Sequence, residues 1–281
     1  MSNLSVQIQD ILKKALREDL GRGDLTTQKL FPRPINAKGY IFPKEDIVLA
    51  GGEIVREVFS LLDPKVKVTL HKNEGSTVKK GETVISLRGD GRSLLNGERI
   101  ALNFLQRLSG IATLTAQFVI LTKGTKARIL DTRKTTPGLR VLERYAVTQG
   151  GGKNHRFHLG DAILIKDNHI SLIGGIKNVF KAMGAHPSQT TSPVEIEVKT
   201  LREVKLALEG GADIILLDNM KPSLIKRAVS LIGGHALVEA SGGITLSNIG
   251  AVAKTGVDFI SIGALTHSAR AVDISMDIFK A

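Results

Sequence analysis

The sequence predicts an α/β protein in which strands and helices alternate along the carboxy-terminal part, preceded by a region of different organisation. From about residue 128 onward, short β-rich runs recur with helical stretches between them, which is the pattern of a parallel sheet. The first 115 residues have glycine turns between strand-like stretches instead. With 281 residues, 42% of them hydrophobic, the chain can bury one large core or a large core beside a smaller one.

The predicted parallel strands occupy residues 128–131, 162–166, 194–198, 214–218, 237–241 and 259–263. After residue 166 the strand ends come closer together, down to a spacing of about twenty residues. This spacing suits a compact barrel and equally a doubly wound sheet. The residues alone leave both architectures open.

Residues 1–115 are predicted to form a separate α+β domain. Strand-like stretches lie at residues 37–43, 66–71 and 83–88, an amphipathic helix fills the first twenty residues, and a long helix runs from about residue 97 to 122. The sheet domain then covers residues 116–268. Residues 267–280 have a helical pattern, so a final segment, 269–281, is expected to be a helix that packs back on the amino-terminal domain.

Composition restricts the function classes. The chain has no cysteine, which excludes disulfides and thiol chemistry. Its net charge of +12 favours anionic ligands, but it has no basic run and only 4% aromatic residues, which argues against nucleic acid. No signal peptide is evident, and the apolar runs are far shorter than the roughly 18 residues of a membrane span. We expect a soluble, cytoplasmic protein without membrane contact.

Polar residues and glycines end the predicted parallel strands, where functional groups lie in both candidate folds. They are Asp131, Arg133 and Lys134; Lys166 and Asp167; Glu197; Asp218 and Asn219; Ser241, Gly242 and Gly243; and Gly263. Cations follow the early strands, acids the middle strands, and glycines the last two. Charges that merely solvate loops would be scattered instead, so we interpret these positions as a functional edge.

The glycine turns at residues 241–244 and 261–264 follow the last two strands. Glycine lets backbone N–H groups converge on an anion, and a following helix start adds its positive dipole end. Paired turns after the last two strands of a barrel commonly hold a phosphate. The predicted phosphate ligands are Ser241, Gly242, Gly243, Ser261, Ile262, Gly263 and Ala264.

The cations Arg133, Lys134, Arg156 and Lys166, together with His155, predict a substrate with more than one anionic group. Like charges at one site repel each other unless an anion lies between them, and guanidinium groups bind carboxylates in a bidentate manner. The acids Glu197 and Asp218 end consecutive strands and offer the oxygen ligands that Mg²⁺ shares with substrate phosphates. A general acid–base pair is the competing interpretation; we favour the metal.

Several long motifs resemble the quinolinate phosphoribosyltransferase family over essentially the whole chain. They are EDLGRGDLTT (residues 18–27), ILDTRKTTPGLRV (129–141), GGGKNHRFH (150–158), AILIKDNHI (162–170), IILLDNM (214–220), EASGGITL (239–246) and VDFISIGALTHS (257–268). The resemblance implies an open or incomplete α/β barrel with an amino-terminal α/β sandwich. It also implies that quinolinate and phosphoribosyl pyrophosphate react, with Mg²⁺, to nicotinate mononucleotide, carbon dioxide and pyrophosphate in de novo NAD biosynthesis.

The resemblance also implies roles for individual residues and a homodimer with shared active sites, which leaves assembly into a hexamer open. The implied quinolinate ligands are Arg133, Lys134, His155, Arg156 and Lys166, with Arg99 from the partner subunit. Lys134, Lys166, Glu197 and Asp218 are implied to be catalytic, with the two acids near ribose and metal. A related group linked with molybdenum transport is disfavoured by the intact motifs at residues 132–134 and 155–156. A noncatalytic basic protein would not need acids at two strand ends.

Overall fold

A computed structural model of the chain describes residues 3–184 and 193–281. Its contacts group the chain into two compact units. The first unit comprises Met1–Ala116, Lys134–Gly151 and Ala264–Ala281, and the second comprises Gln117–Arg133 and Gly152–Gly263.

The first unit is built on a four-stranded antiparallel sheet. The strands of this unit are β1 (Asn36–Pro43), β2 (Ile47–Val48), β3 (Lys67–Leu70), β4 (Thr77–Val78), β5 (Ile85–Asp90) and β12 (Ile274–Lys280). The helices of this unit are α1 (Asn3–Leu20), α2 (Leu25–Leu30), α3 (Gly52–Leu62), α4 (Gly91–Leu121), α5 (Arg140–Gln149) and α11 (Ala264–His267). The last residues of α4 group with the second unit. The larger sheet has the order β12-β1-β5-β3, and β2 pairs with β4. The three strands and the long helix that the sequence predicted in this region are confirmed.

The carboxy-terminal segment is a strand, so the predicted helix at residues 269–281 is wrong. β12 pairs antiparallel with β1, with Ile41 opposite Met276 and Pro43 opposite Ile274. Along β12, Ile274 and Met276 are buried while Asp277 is exposed, which is the alternation of a strand with one buried face. Pairing with β1 satisfies the backbone of this segment, and this contact, distant in sequence, decides its conformation.

Helix α4 is long and apolar enough to be considered as a membrane span, with an 18-residue window of mean hydropathy 1.3. Its apolar residues are spread around the helix and supply core side chains such as Leu94, Leu105, Leu108 and Ile111, each at most 1% exposed. Core helices of soluble proteins have the same composition, so this helix alone is weak evidence for a membrane location.

The second unit is a six-stranded parallel sheet with helices between its strands. Its elements are β6 (Arg128–Leu130), β7 (Ile163–Ile165), α6 (Asp167–Ile173), α7 (Ile176–Met183), β8 (Val194–Val198), α8 (Leu201–Glu209), β9 (Ile214–Asp218), α9 (Pro222–Ile232), β10 (Leu237–Ser241), α10 (Ile249–Ala253) and β11 (Phe259–Ser261). All six parallel strands of the sequence analysis are present, and β8, β9 and β10 have the predicted bounds.

The strand order distinguishes between the two architectures that the sequence left open. The order is β6-β11-β10-β9-β8-β7, so the first strand of the unit pairs with the last and the others follow in sequence. That order is circular, as in a barrel, whereas a doubly wound sheet reverses its order at an internal strand. In the part of the chain that the structure describes, no ladder joins β6 to β7. The sheet is therefore an α/β barrel that is open between its first two strands.

Local sequence signals explain where the helices of this barrel begin. Thr200 caps α8 by accepting the N–H of Glu203, whose carboxylate accepts the N–H of Thr200 in return. Pro222 begins α9, where its missing N–H costs nothing. These starts follow directly after β8 and β9 and leave the carboxyl ends of the strands at one edge.

Candidate active site

The carboxyl edge of the parallel sheet brings together the residues that end its strands. The register makes Asp218 the neighbour of Ser241 and Ser241 the neighbour of Ser261 across β9, β10 and β11. Glu197 is opposite Leu216 in the next row, and Lys166 directly follows β7. Because residues in one register row point to the same face of a sheet, the acids and serines predicted from the sequence share one face.

Lys166 and Glu197 form the first charged contact of this edge. Lys166 Nζ lies 4.0 Å from Glu197 Oε2. Burial raises the pKa of the Glu197 carboxyl, and the negative charge of Asp218 raises it further. Asp167, which follows Lys166, is instead paired with Lys199 at 2.8 Å. Lys166 is therefore not engaged in an ion pair with its sequence neighbour, and Glu197 and Asp218 lie close enough for their charges to interact.

Two arginines form the cationic part of the edge. Arg156 is half-buried and donates from Nη1 to the carbonyl of Ala162 at 2.9 Å. Burial lowers the pKa of the Arg156 guanidinium, and the positive charge of Arg133 lowers it further. Arg133 is also half-buried and lies in the loop that follows β6. The two guanidinium groups thus repel each other in a partly desolvated place, which is the situation the sequence analysis associated with an anionic substrate.

His155 lies beneath these arginines and contacts two buried acids. Its Nε2 is 3.2 Å from Glu195 Oε2 and 3.6 Å from Glu239 Oε2. Burial lowers the pKa of His155, but hydrogen bonds to Glu195 and Glu239 outweigh burial and raise it. The raised pKa favours a doubly protonated ring, but Nδ1 accepts the N–H of Arg156 at 2.8 Å, and this hydrogen bond requires that Nδ1 carry no proton. The main-chain N–H of His155 donates to Asp131, which is fully buried.

The glycine turn after β10 is shaped by Asn219. Asn219 has a positive φ of 54° and donates from its backbone N–H to the carbonyl of Ser241 at 2.8 Å. Gly242 has a φ of 86°, and a Cβ placed there would meet Asn219 Oδ1 at 2.3 Å. Gly243 also has a positive φ, and its carbonyl accepts from Asn248 at 2.8 Å. Only glycine fits at residue 242, both because of its φ and because of this close approach.

The turn after β11 is anchored differently. Ser261 is buried at the end of the strand, and the N–H of Ile262 donates to the carbonyl of Leu130 in β6 at 3.0 Å. The helices after the two turns, α10 and α11, have five and four residues. Such short helices have little dipole, so the predicted dipole contribution to an anion site is not supported.

Three of the predicted site residues group with the first unit. Arg99 is exposed on α4, Lys134 is exposed with its carbonyl bound by Thr266 Oγ1 at 2.8 Å, and Ala264 begins α11. The second unit brings together the remaining ones: Arg133, His155, Arg156, Lys166, Glu197, Asp218, Ser241, Gly242, Gly243, Ser261, Ile262 and Gly263.

Glu195 and Glu239 were not predicted from the sequence, and Asn219 was predicted only as one of the residues of the functional edge. Glu195 and Glu239 stand two residues before Glu197 and Ser241, and side chains two apart in a strand point to the same face. That spacing was the available signal for a second, deeper layer of polar side chains. The role of Asn219 depends on its backbone conformation, for which the sequence offers only the general tolerance of Asn for positive φ.

Comparison with known proteins identifies the family of the chain. Residues 24–109 match the family model described as quinolinate phosphoribosyl transferase, N-terminal domain, and residues 111–277 match that of its C-terminal domain. The chain belongs to the quinolinate phosphoribosyltransferase family. The family that the sequence resembled is thus confirmed.

Individual members of the quinolinate phosphoribosyltransferase family are similar over nearly the whole chain. A probable nicotinate-nucleotide pyrophosphorylase (carboxylating) of Bacillus subtilis is 44% identical over 97% of this chain and 94% of the relative. One from Methanocaldococcus jannaschii is 42% identical over 96% of each chain. The crystal structure of NadC from Streptococcus pyogenes matches with a TM-score of 0.93, at 42% identity and 98% coverage of both chains.

Proposed function

We propose that this chain transfers a phosphoribosyl group from phosphoribosyl pyrophosphate to quinolinate and releases carbon dioxide and pyrophosphate, giving nicotinate mononucleotide for NAD biosynthesis. Its family is named for this transfer, and its relatives are named as nicotinate-nucleotide pyrophosphorylases. The observation that carries the proposal is the pair Arg133 and Arg156, whose charges repel each other while both residues are half-buried. Quinolinate has two adjacent carboxylates and can neutralise such a group of cations.

Quinolinate is held by the cationic part of the edge. Arg133 and Arg156 take its carboxylates in bidentate hydrogen bonds, and Lys166 acts as a point charge. Lys134 contributes where the quinolinate and pyrophosphate sides meet. Because Lys166 is half-exposed and 4.0 Å from Glu197, it can turn toward a substrate carboxylate without breaking a tight ion pair.

The 5′-phosphate of the ribose binds at the two glycine turns. Gly242 and Gly243 present backbone N–H groups at a point where no side chain could fit beside Asn219. Residues 261–264 form the second side of the phosphate site. The backbone, rather than a nearby helix dipole, supplies the attraction for the anion.

The pair Glu197 and Asp218 fits Mg²⁺. Both offer carboxylate oxygens, the ligand type that Mg²⁺ prefers, and the pKa of Glu197 is raised by burial and by the charge of Asp218. A divalent cation between them would relieve this repulsion. When bound, the ion would neutralise charge on the pyrophosphate and so assist its departure. Direct and water-mediated coordination are both compatible with this role.

The chain's own residues act on charge that develops during transfer. As pyrophosphate leaves, positive charge grows on the ribose, and the carboxylates of Glu197 and Asp218 stabilise it. Lys134 stabilises the negative leaving group. Arg133 and Arg156 hold the pyridine ring so that its nitrogen meets the ribose carbon. After ribosylation the positive pyridinium nitrogen stabilises the electron pair that stays on the adjacent ring carbon when its carboxylate leaves as carbon dioxide. A proton from solvent then replaces the carboxylate, so the chain's own task in this step is binding and orientation.

A direct assay tests this proposal. The purified chain is mixed with quinolinate, phosphoribosyl pyrophosphate and Mg²⁺, and nicotinate mononucleotide, carbon dioxide and pyrophosphate are followed together. We expect equal amounts of the three products and loss of turnover when Mg²⁺ is chelated. A protein that binds both substrates yet forms no nicotinate mononucleotide would overturn the proposal.

We further propose that the enzyme is a cytoplasmic homodimer in which Arg99 completes the partner's site. Arg99 is exposed on α4, in the unit that does not carry Lys166. A two-fold dimer repeats each contact, so two such sites would form. Arg99→Ala and Lys166→Ala, each inactive alone, are co-expressed with different tags and the mixed dimer is purified. Activity returns if Arg99 acts across the interface, because one site then has both intact residues. A mixed dimer as inactive as its parents refutes sharing.

A further inference from the structure

Glu195 and Glu239 form a second layer of acids below the edge that carries Glu197 and Ser241. They are 5% and 1% exposed and lie on β8 and β10, two residues before the edge residues of the same strands. Side chains at this spacing share a face, so the two acids lie deeper on the face that carries the site. Both converge on Nε2 of His155.

Hydrogen bonding accounts for the contact of His155 with Glu195, and Glu239 lies just outside hydrogen-bond range of the same nitrogen. The distance of 3.2 Å from Nε2 to Glu195 Oε2 is within hydrogen-bond range, and Glu239 Oε2 is close behind at 3.6 Å. The three side chains are also close enough to hold a metal ion, since their ligand atoms all lie within 4.8 Å of one another. In the structure Nε2 of His155 already faces both carboxylates, and the positive charge of Arg156 also acts on Glu195, although burial and the charge of Glu239 raise the pKa of Glu195.

The other side of the imidazole is tied to the backbone that carries Arg156. Nδ1 of His155 accepts the N–H of Arg156 at 2.8 Å, so the ring proton is placed on Nε2, facing the two acids. Asp131 accepts the N–H of His155 at 2.8 Å. The orientation of the ring therefore fixes the peptide between residues 155 and 156, and with it the start of the Arg156 side chain.

Burial of these two carboxylates lowers the stability of the folded protein, so stability alone does not explain their presence. In the described part of the chain, Oε1 of Glu195 and Oε1 of Glu239 have no hydrogen-bond partner. A buried oxygen without a partner destabilises the folded state, and apolar side chains of similar volume are often at least as stable in such places. Their presence beside a substrate-binding arginine indicates a task in binding.

We propose that Glu195 and Glu239 are positioning residues for quinolinate: together they hold Nε2 of His155, and through Nδ1 of His155 they hold the backbone that aims Arg156 at a substrate carboxylate. The inference rests on the proposed function, since it assigns quinolinate to Arg156. In this arrangement both ring nitrogens of His155 have partners within the chain. His155 therefore serves the substrate through Arg156, which differs from the direct contact with quinolinate that the family resemblance implied for it. Neither acid touches the reacting atoms.

Matched variants at both acids test the proposal. Leu keeps the volume of Glu and removes the acceptor, whereas Gln keeps an acceptor for the Nε2 proton. Loss of a residue that orients a metal-binding side chain typically costs about 10- to 100-fold in metal affinity or activity, and we expect the lower end of this range for a residue that orients a substrate-binding arginine. We expect KM for quinolinate to rise about 10-fold in Glu195→Leu and in Glu239→Leu, with KM for phosphoribosyl pyrophosphate unchanged. Glu195→Gln should recover most of the lost affinity.

The double variant Glu195→Leu/Glu239→Leu separates positioning from general destabilisation. Each acid can accept the Nε2 proton when the other is removed, so the double loss should exceed the sum of the single losses in free energy. Equal rises in KM for both substrates, or additive losses accompanied by equal falls in melting temperature, would overturn the proposal. Wild-type turnover of quinolinate is measured in parallel, so failure of the proposed function is seen separately.

Nitrogen NMR of the wild-type enzyme reports the protonation of the His155 ring directly. The signals of His155, assigned by their absence from the spectrum of His155→Gln, should show a protonated Nε2 and an unprotonated Nδ1. A proton on Nδ1, in a neutral or in a doubly protonated ring, would break the link to Arg156 and contradict the proposal.

Discussion

Buried carboxylates differ between the two units in how completely their oxygens are hydrogen-bonded. In the first unit, Glu143 is fully buried and accepts hydrogen bonds from Arg107 and from both the N–H and the hydroxyl of Thr136. Arg107 also donates to the carbonyl of Ala269 at 2.6 Å. In the second unit, Glu195 and Glu239 are buried side by side, and each has an oxygen without a hydrogen-bond partner in the described residues.

This difference in hydrogen bonding distinguishes buried charges that stabilise the fold from buried charges that serve substrate binding. A buried ion whose lone pairs are all used stabilises one packing arrangement, and removing a partner leaves an uncompensated charge. A buried ion with unused lone pairs weakens the fold and is retained where substrate binding benefits from it. The first pattern predicts losses of stability on mutation, and the second predicts losses of substrate affinity or turnover.

The largest expected effect concerns substrate choice at the edge of the second unit. Nicotinate lacks one of the two carboxylates of quinolinate and would neutralise less of the positive charge of Arg133, Arg156 and Lys166. Loss of one hydrogen-bonded charge pair in a complex costs up to about 5 kcal/mol, which lowers kcat/KM by up to about 5000-fold. Steady-state kinetics with both acids measure the ratio. Similar efficiency with nicotinate would show that the repelling cations do not select the substrate.

An effect of similar size on stability is expected in the first unit. Arg107→Leu leaves Glu143 buried without its ion partner, which costs about 3–5 kcal/mol of unfolding free energy. Denaturant unfolding measures this loss. The control is Arg56→Leu, which removes an exposed pair with Glu53; there we expect a change within about 0.5 kcal/mol. Equal losses in the two variants would contradict a stabilising role for the buried pair.

Asp218→Asn should impair turnover without unfolding the protein. Loss of one preorganised stabilising charge typically lowers kcat about 100- to 1000-fold. Quinolinate binding, measured by titration, should stay nearly intact because the cations contact that ligand. The matched control is Asp213→Asn, which lies before the amino end of the same strand and accepts the N–H of Val194. Full Mg²⁺-dependent activity in Asp218→Asn, or loss of quinolinate binding in the folded variant, would refute the assignment to metal and ribose.

The smallest effect tests whether the second unit also contains purely structural groups. Thr200→Ala removes the capping box of α8, which costs about 1 kcal/mol of stability. We expect a lower melting temperature and an unchanged KM for quinolinate. A shift in KM would mean that the start of α8 contributes to quinolinate binding. It would contradict the view that the second unit also contains purely structural groups.

Much of the barrel was predictable because its strands are short apolar runs ended by glycine or charge. Residues 194–198, 214–218 and 237–241 carried that signal and form strands with the predicted bounds. Residues 274–280 alternate in burial only because β1 lies beside them. A helical pattern was inferred there because local spacing says nothing about a partner more than two hundred residues away.

The site was predictable at its edge and not below it. Strand ends pointed to Lys166, Glu197 and Asp218, since the carboxyl ends of parallel strands meet at one edge. Glu195 and Glu239 lie inside strands, where a charged residue gives no indication of its partner. Their approach to His155 depends on the curvature of the sheet, which the sequence does not contain.

The most direct test compares the same substitution at two buried acids, Glu143→Leu and Glu195→Leu. Unfolding free energy and KM for quinolinate are measured for both. We expect Glu143→Leu to lose about 3–5 kcal/mol, while Glu195→Leu stays within about 1 kcal/mol of the wild type and binds quinolinate more weakly. If Glu195→Leu unfolded as readily as Glu143→Leu and kept its KM, the two carboxylates would serve the same structural purpose and the contrast between the units would be wrong.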